Sequence, residues 1–465
     1  MKTATPLRAL ELCELLEPRV LFAHAPDIVI EWNRVLIDAL RADRTLGGPT
    51  WASRNAAIVH AAIFDAVNSI EQRYEPYLVS LSAAKHTSIV AAAAAAGWRT
   101  LSAIYPDQQS MLDDALTKSL ARVKDGPRES NGVALGIAVA NQILAARAND
   151  GSDDATPYTP GSDPGDWQPT PLDYSTALGA NWGKVKPFAL DDPDQLLPPP
   201  PPALDSAEYA AAFNQVKSLG ELNSATRTAE QTEIGIFWGY DRAGMGAPPS
   251  LYNQIAESIA IGQHNTTVEN ARLFALLNIS QADAGVVAWA CKYKDNFWRP
   301  ITAIRAAATD GNPNTQVDPN WEPLGASGGG VVPNFTPPFP AYISGHATFG
   351  GAVFQILADF YGRDRFQFTA KSEELPGVTR SFNSFSAAAA ENGISRIYLG
   401  IHWSFDNLRG QEVGRNVANE VFAHDLRPVR HDHQVLPAHL TFKLLSLGHK
   451  EAYLLGASSS DSLSF

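Results

Sequence analysis

The chain of 465 residues has two cysteines, Cys13 and Cys291, too few for a disulfide framework or a cysteine-rich zinc site. Positive charge is also scarce. With 36 basic and 49 acidic side chains the net charge is -13, the wrong sign for gripping nucleic-acid phosphates or an anionic membrane surface. No nucleic-acid partner is expected. No run approaches the ~20 apolar residues that span a bilayer, and the alanines from Ala91 to Ala96 are interrupted by Gly97, Trp98 and Arg99. No membrane span is expected either. Alternating Val, Ile and Thr between Asn-Gly or Asp-Gly turns is missing, which excludes a sheet beyond a short hairpin. What remains is 45% hydrophobic and 18% charged, enough to fold around a large core.

The periodic segments repeat at three and four, the spacing of a helix face. From Asn55 to Ile70, residues Ile58, Ala62, Ile63, Ala66 and Val67 share one side. Similar patterns run over Ser88–Ile104, Gln108–Val123, Gly132–Ala146, Ser206–Lys217, Glu230–Trp238, Leu251–Ile261, Thr267–Trp289, Ala347–Tyr361 and Gln411–Phe422. About ten helices in an all-α, bundle-like body are expected. Length alone suggests about three domains at ~150 residues each. However, the Pro- and Gly-rich stretches Asp150–Lys186 and Pro313–Pro340, and the prolines Pro198–Pro202, read as loops crossing one helical body. The organisation expected is a leader-like segment over 1–26, one helical domain over 27–430 and a tail over 431–465.

Three segments in the second half share one chemical theme, the holding of an oxyanion. In Lys292-Tyr-Lys-Asp-Asn-Phe-Trp-Arg299-Pro300 the spacing returns Lys292 and Arg299 to one helix face, with Pro300 ending or kinking the helix. The alternative is a solvated charged face, with Asp295 pairing either cation. In Pro340-Ala-Tyr-Ile343-Ser344-Gly345-His346, a Ser-Gly-His turn at a helix start offers a hydroxyl, a close-approach amide, the positive end of a helix dipole and an acid/base group. An ordinary serine cap explains the same residues. In Ser395-Arg396-x5-His402-x3-Asp406, Arg396 adds a third cation and the four-residue spacing makes His402 and Asp406 neighbours on a helix face. There the carboxylate fixes which ring nitrogen is free. Singly, a surface pair has the same spacing.

Together these segments resemble the three-part signature of the acid phosphatase and vanadium-dependent haloperoxidase superfamily: Lys-x6-Arg-Pro, Pro-Ser-Gly-His and Ser-Arg-x5-His-x3-Asp, in that order. Ile343 stands where the second motif has its Pro, which implies an altered loop without lost catalytic atoms. The resemblance implies an all-α haloperoxidase-type bundle and a vanadate cofactor, with phosphate able to occupy the same pocket. It places Lys292, Arg299, Arg396, Ser344 and the Gly345 amide on the equatorial oxygens and His402 as axial ligand. His346 becomes the acid/base group, with Asp406 orienting His402. The implied reactants are hydrogen peroxide, halide and an organic acceptor, giving hypohalous acid. Trp289 and Phe339 match aromatic positions flanking the halide in the chloroperoxidase branch, whereas the bromoperoxidase branch carries His at the Phe339 position. Two core aromatics packing behind the pocket would read the same.

The same residues serve phosphate-ester hydrolysis through a phospho-histidine on His402, and the three motifs do not separate the two chemistries. A non-catalytic oxyanion-binding protein is the third alternative. Other features point to less. His431-Asp432-His433, with His424 nearby, lacks further metal ligands, and the acidic Asp150–Asp166 stretch lacks an EF-hand glutamate, so it reads as a solvated loop over the pocket mouth. Leu16 to Ala23 resembles a leader-like element of exported bacterial proteins, although Glu11, Glu14, Glu17 and Arg19 interrupt an ordinary signal core. Export, and association through the Ala91–Ala96 face, are further expectations.

Overall fold

Side-chain oxygens at helix entrances set where many of the helices begin, because they accept amides that no carbonyl inside the helix can reach. The computed structural model describes residues 26–43, 47–242, 244–327 and 334–429. Asp27 opens α1 (Ile28–Ala42) by accepting the Val29 amide, and also accepts from Thr267 and Asn270, tying the first helix to a much later one. Proline takes the first position of α2 (Pro49–Glu71) and α5 (Pro127–Arg147), while Ser88 caps α3 (Ile89–Ile104) and α4 (Gln109–Leu120) lies between. After a long irregular stretch come α6 (Ala207–Leu219), α7 (Ala229–Phe237), α8 (Ala247–Gly262) and α9 (Thr267–Asp295). Reciprocal bonds between Thr266 and Glu269 open α9. Short α10 (Pro300–Arg305), then α11 (Gly345–Phe360), α12 (Phe385–Tyr398) and α13 (Ser404–His424) follow. Strands among the described residues form two antiparallel hairpins, β1 (Ala326–Ser327) with β2 (Asn334–Phe335) and β3 (Phe368–Lys371) with β4 (Thr379–Phe382).

The class is all-α, and one hydrophobic cluster includes residues from Ile28 to Leu426. Three helices carry no expectation from the sequence, α1, α10 and α12. In α12 the run Ala387–Ala390 is too uniform to mark a face, yet that helix delivers Ser395 and Arg396. The alanines Ala91–Ala96 are fully buried, with α3 packed against α2 and α5, so they offer no face for association. By length and composition α9 could cross a bilayer, contrary to the expectation that no stretch would. It is instead a core helix, 94% of its most apolar window being buried within the protein. Asp283 on α9 accepts the Phe188, Ala189 and Leu190 amides, which docks the loop before the proline run. Asp150 is buried between Arg54 and Arg147, so the acidic stretch begins as an ion-paired anchor and not as a solvated loop. His431-Asp432-His433, Cys13, the leader-like segment and the tail lie outside the described residues.

In the core α11 and α13 approach each other closely. A Cβ at Gly414 would stand 2.1 Å from the Thr348 carbonyl oxygen, and one at Gly410 would stand 2.8 Å from that of Ser344. Glycine lets the two backbones meet there. One result is a bond from the Ser344 amide to the Asp406 carbonyl, 3.2 Å, which joins the second and third motif segments.

Candidate active site

The first segment does not lie on one helix face. Lys292 is in the last turn of α9, the helix stops at Asp295, and Asn296 adopts a left-handed conformation (φ 50°) whose amide bonds the Lys292 carbonyl. Arg299 sits outside any helix, as the N-cap of α10, with Pro300 in the first turn. Pro300 therefore starts a helix and does not kink one. Lys292 and Arg299 still converge, because the turn folds the chain back under the 339–343 loop. Lys292 Nζ donates to the Pro340, Ala341 and Ile343 carbonyls at 2.9, 3.0 and 2.5 Å. All three ammonium hydrogens are thus engaged, and this lysine holds the loop that carries Ile343 and Ser344. Its expected place on an oxyanion oxygen would require exchange of one carbonyl.

Arg299 has no exposed surface. Its Nε donates to the Phe339 carbonyl at 2.8 Å and its Nη1 to the Ile401 carbonyl at 2.7 Å, with His402 Nε2 3.0 Å from the same Nη1. Its Nη2 is buried with no partner. Arg396, nearly as buried, has an ion pair from Nη2 to Asp241 at 2.8 Å, while its Nε and Nη1 are unpartnered. Two guanidinium groups therefore leave three donors unsatisfied inside the protein. Each such donor costs free energy unless something accepts from it.

His402 and Asp406 meet, but not on a helix face as expected. His402 lies ahead of α13, whereas Asp406 is in its first turn. The carboxylate reaches back, accepting from His402 Nδ1 at 2.8 Å and from the Trp403 amide at 3.1 Å. Burial, with Arg299, Lys292 and Arg396 around it, holds His402 well below its ordinary value, so the ring is neutral. With the proton on Nδ1 facing Asp406, Nε2 carries a lone pair, which now accepts from Arg299. Burial pushes Asp406 up to about 7, against the pull of the Trp403 amide, Lys292 and Arg299. Burial also lowers Lys292 well below its ordinary value, with Arg299 adding to it, and pulls Arg299 down to about 9. Crowded, dry cations of this kind are stabilised by a bound anion.

Ser344 is the N-cap of α11, as the ordinary-cap reading has it, its Oγ accepting the Ala347 amide at 3.4 Å. This leaves the hydroxyl hydrogen and the Gly345 and His346 amides without acceptors inside the helix, so cap and anion site coincide. His346 is committed more than expected, its Nε2 lying 2.9 Å from the Gly239 carbonyl. Nδ1 is the nitrogen left for exchange, and burial, with Arg396 beside it, lowers the ring to about 4. Trp289 and Phe339 are buried with ring centroids 4.9 Å apart. Lys292 Nζ lies 5.5 and 5.0 Å from those centroids, and Arg299 Cζ lies 4.9 Å from that of Phe339. The pair is both core packing and a wall of the cation cluster. Sequence reasoning missed Asp241 and Gly239, which lie after α7 on a loop without periodicity. The only signal was its cluster of turn residues, Gly239-Tyr-Asp-Arg.

A helical body with buried cations, a neutral imidazole and a helix start converging on one point is an arrangement suited to holding an oxyanion. The comparisons give the family. Residues 272–431 match the model of the VCPO second helical-bundle domain. Vanadium chloroperoxidase of Curvularia inaequalis is 31% identical over 492 residues, covering 83% of this chain and 80% of that protein. A solved bacterial vanadium-dependent iodoperoxidase superposes with a TM-score of 0.76 at 26% identity, over 87% of this chain and 98% of the other. The holo-type bacterial vanadium-dependent chloroperoxidase shares the fold, with a TM-score of 0.65 at 18% identity over 85% and 96%. The chain belongs to the vanadium-dependent haloperoxidase family, within the acid phosphatase superfamily.

Proposed function

We propose that the protein binds vanadate and uses hydrogen peroxide to oxidise halide to hypohalous acid. The observation that carries this is the set of three buried, unpartnered guanidinium donors on Arg299 and Arg396 beside the His402 Nε2 lone pair. Such donors suit a hard oxyanion, and the one described cysteine, Cys291, bonds Asp295. Arg299, Arg396, Ser344 Oγ and the Gly345 amide would take its oxygens, and His402 Nε2 would ligate the metal. Vanadate in that place supplies a Lewis acid that activates peroxide towards halide without itself changing oxidation state.

The protein's residues do the rest. Asp406 fixes the His402 tautomer and orientation. The guanidinium groups neutralise negative charge in a water-poor pocket, where each bond is stronger than in water. His346, neutral near pH 7, takes and returns a proton at Nδ1 while the Gly239 carbonyl holds its other nitrogen. Trp289 and Phe339 exclude water from one side, which favours a weakly hydrated halide.

Purified apo-protein given vanadate, peroxide and bromide or chloride is expected to halogenate monochlorodimedone. Hydrolysis of p-nitrophenyl phosphate, inhibited by vanadate and without halogenation, would replace this reading with the phosphatase one. Phosphate binding with no turnover in either assay would point to a non-catalytic oxyanion binder.

A further inference from the structure

The loop that holds His346 and Arg396 is itself held by a buried carboxylate. That loop runs from Gly239 to Arg242, after α7, and passes through Tyr240 in a left-handed conformation (φ 60°), which a tyrosine adopts only when contacts impose it. The contacts come from the residues after β3. Ser372 Oγ donates to the Phe237 carbonyl at 2.6 Å, and the Glu373 amide donates to Tyr240 Oη at 3.0 Å. Tyr240 Oη in turn donates to Gln254 Oε1 on α8 at 3.1 Å. Glu374 differs from Ser372 and Glu373. Its side chain is 1% exposed, its Oε2 pairs with Arg242 Nη2 at 2.8 Å, and its Oε1 is buried without a donor. A Cβ at Gly239 would stand 3.7 Å from that Oε1, so the carboxylate reaches from one end of the loop to the other. Burial raises the group above its ordinary value, against the pull of Arg242 and with Asp241 adding to the rise. A half-satisfied buried carboxylate costs stability, and packing alone does not call for one.

We infer that Glu374 is a positioning residue of the anion site: through Arg242 it fixes the 239–242 loop so that the Gly239 carbonyl meets His346 Nε2 and Asp241 meets Arg396. The inference rests on the site holding an oxyanion, not on the reaction that follows. Asp241 and Arg242 are consecutive, and each is half of an ion pair, one with Arg396 and the other with Glu374. Anchoring Arg242 therefore keeps Asp241 on Arg396 Nη2, and the two donors that Arg396 leaves free, Nε and Nη1, keep their direction. Anchoring the loop also keeps the Gly239 carbonyl on His346 Nε2, which leaves Nδ1 as the exchanging nitrogen. Glu374 acts on both groups only through the loop.

Inorganic phosphate, titrated calorimetrically into the full-length apo-protein, tests the arginine side. Glu374→Ala and Arg242→Ala should each weaken its binding at least ten-fold, and the double variant no further than either alone, because both remove the same connection. Glu374→Gln, whose amide oxygen still accepts from Arg242, should stay within three-fold of the wild type. Additive losses, a glutamine variant as weak as the alanine one, or unchanged affinity in either single variant overturns the inference. Arg242 is exposed, so its alanine variant keeps the test decisive where Glu374→Ala does not fold. The second readout needs no anion. Nuclear magnetic resonance of the ring protons, with His346 assigned through His346→Gln, should show a slowly exchanging Nε2–H in the wild type. Its exchange should be at least ten-fold faster in Glu374→Ala and Arg242→Ala. The Trp32 indole proton on α1, donated to Ser119 Oγ at 3.2 Å, should exchange alike in all three. Unchanged exchange at His346 overturns the inference, and so does faster exchange at Trp32 too, the mark of general loosening. A wild type that binds no phosphate would overturn the oxyanion reading and leave the ring protons to decide the role of Glu374.

Discussion

Arg299 and Arg396 carry the site because a guanidinium is planar, stays charged when buried and presents donors in a fixed fork. Between them they leave Arg299 Nη2 and Arg396 Nε and Nη1 without acceptors, although burial makes such donors costly. Arg299→Ala should therefore weaken vanadate or phosphate binding by about 10- to 150-fold, the range of about 1.5–3 kcal/mol for a bond to a charged group. Calorimetry reads this directly, and unchanged affinity would remove Arg299 from the cradle. Asp406→Asn probes the tautomer. An amide that turns its NH₂ to His402 forces the proton onto Nε2, so vanadate affinity should fall about 10- to 100-fold with little change in fold. Retained affinity at wild-type level would mean that the Nδ1 bond of 2.8 Å does not set the ligand nitrogen.

At the scale of elements, the site is made where helices end and begin. The stop of α9 at Asn296 and the start of α10 at Pro300 turn Arg299 under the 339–343 loop, and α11 and α13 bring Ser344 against Asp406. Gly414→Ala should push these helices apart, since its Cβ would stand 2.1 Å from the Thr348 carbonyl oxygen. A loss of about 1–3 kcal/mol is expected in denaturant unfolding, the usual cost of overpacking. A variant as stable as the wild type would show that the interface yields. The helical class and the cations, serine and histidines of the site were legible in the sequence, because periodicity and motif spacing are local properties. Their geometry was not. Spacing at 100° per residue put Lys292 with Arg299, and His402 with Asp406, on helix faces, whereas the left-handed Asn296 and the capping turn at Trp403 bring each pair together from different elements. Lys292's grip on three carbonyls, Asp241's on Arg396 and the Gly239 bond to His346 join residues distant in sequence, which no local pattern records.

Across the whole molecule, a net charge of -13 surrounds a small buried cluster of positive charge, so the anion site depends on burial and not on overall attraction. Burial has a second consequence far from the site. His60 is fully enclosed, its ring lowered to about 3 by desolvation, with Nε2 3.2 Å from Asn33 Oδ1. The unfolded chain takes up a proton near the ordinary 6.5 and the folded chain does not, so this contribution to stability is lost as pH falls. Relative to His60→Gln, the wild type should lose about 2 kcal/mol between pH 7 and pH 5 in unfolding experiments. A pH-independent difference would show that His60 titrates normally in the fold. The most direct test of the central claim is a crystal structure of the vanadate-loaded protein. Vanadium bonded to His402 Nε2, with its oxygens accepting from Arg299 Nη2 and from Arg396 Nε and Nη1, is the expected result. Vanadate bound elsewhere, with His402 Nε2 still facing Arg299 Nη1, would contradict it.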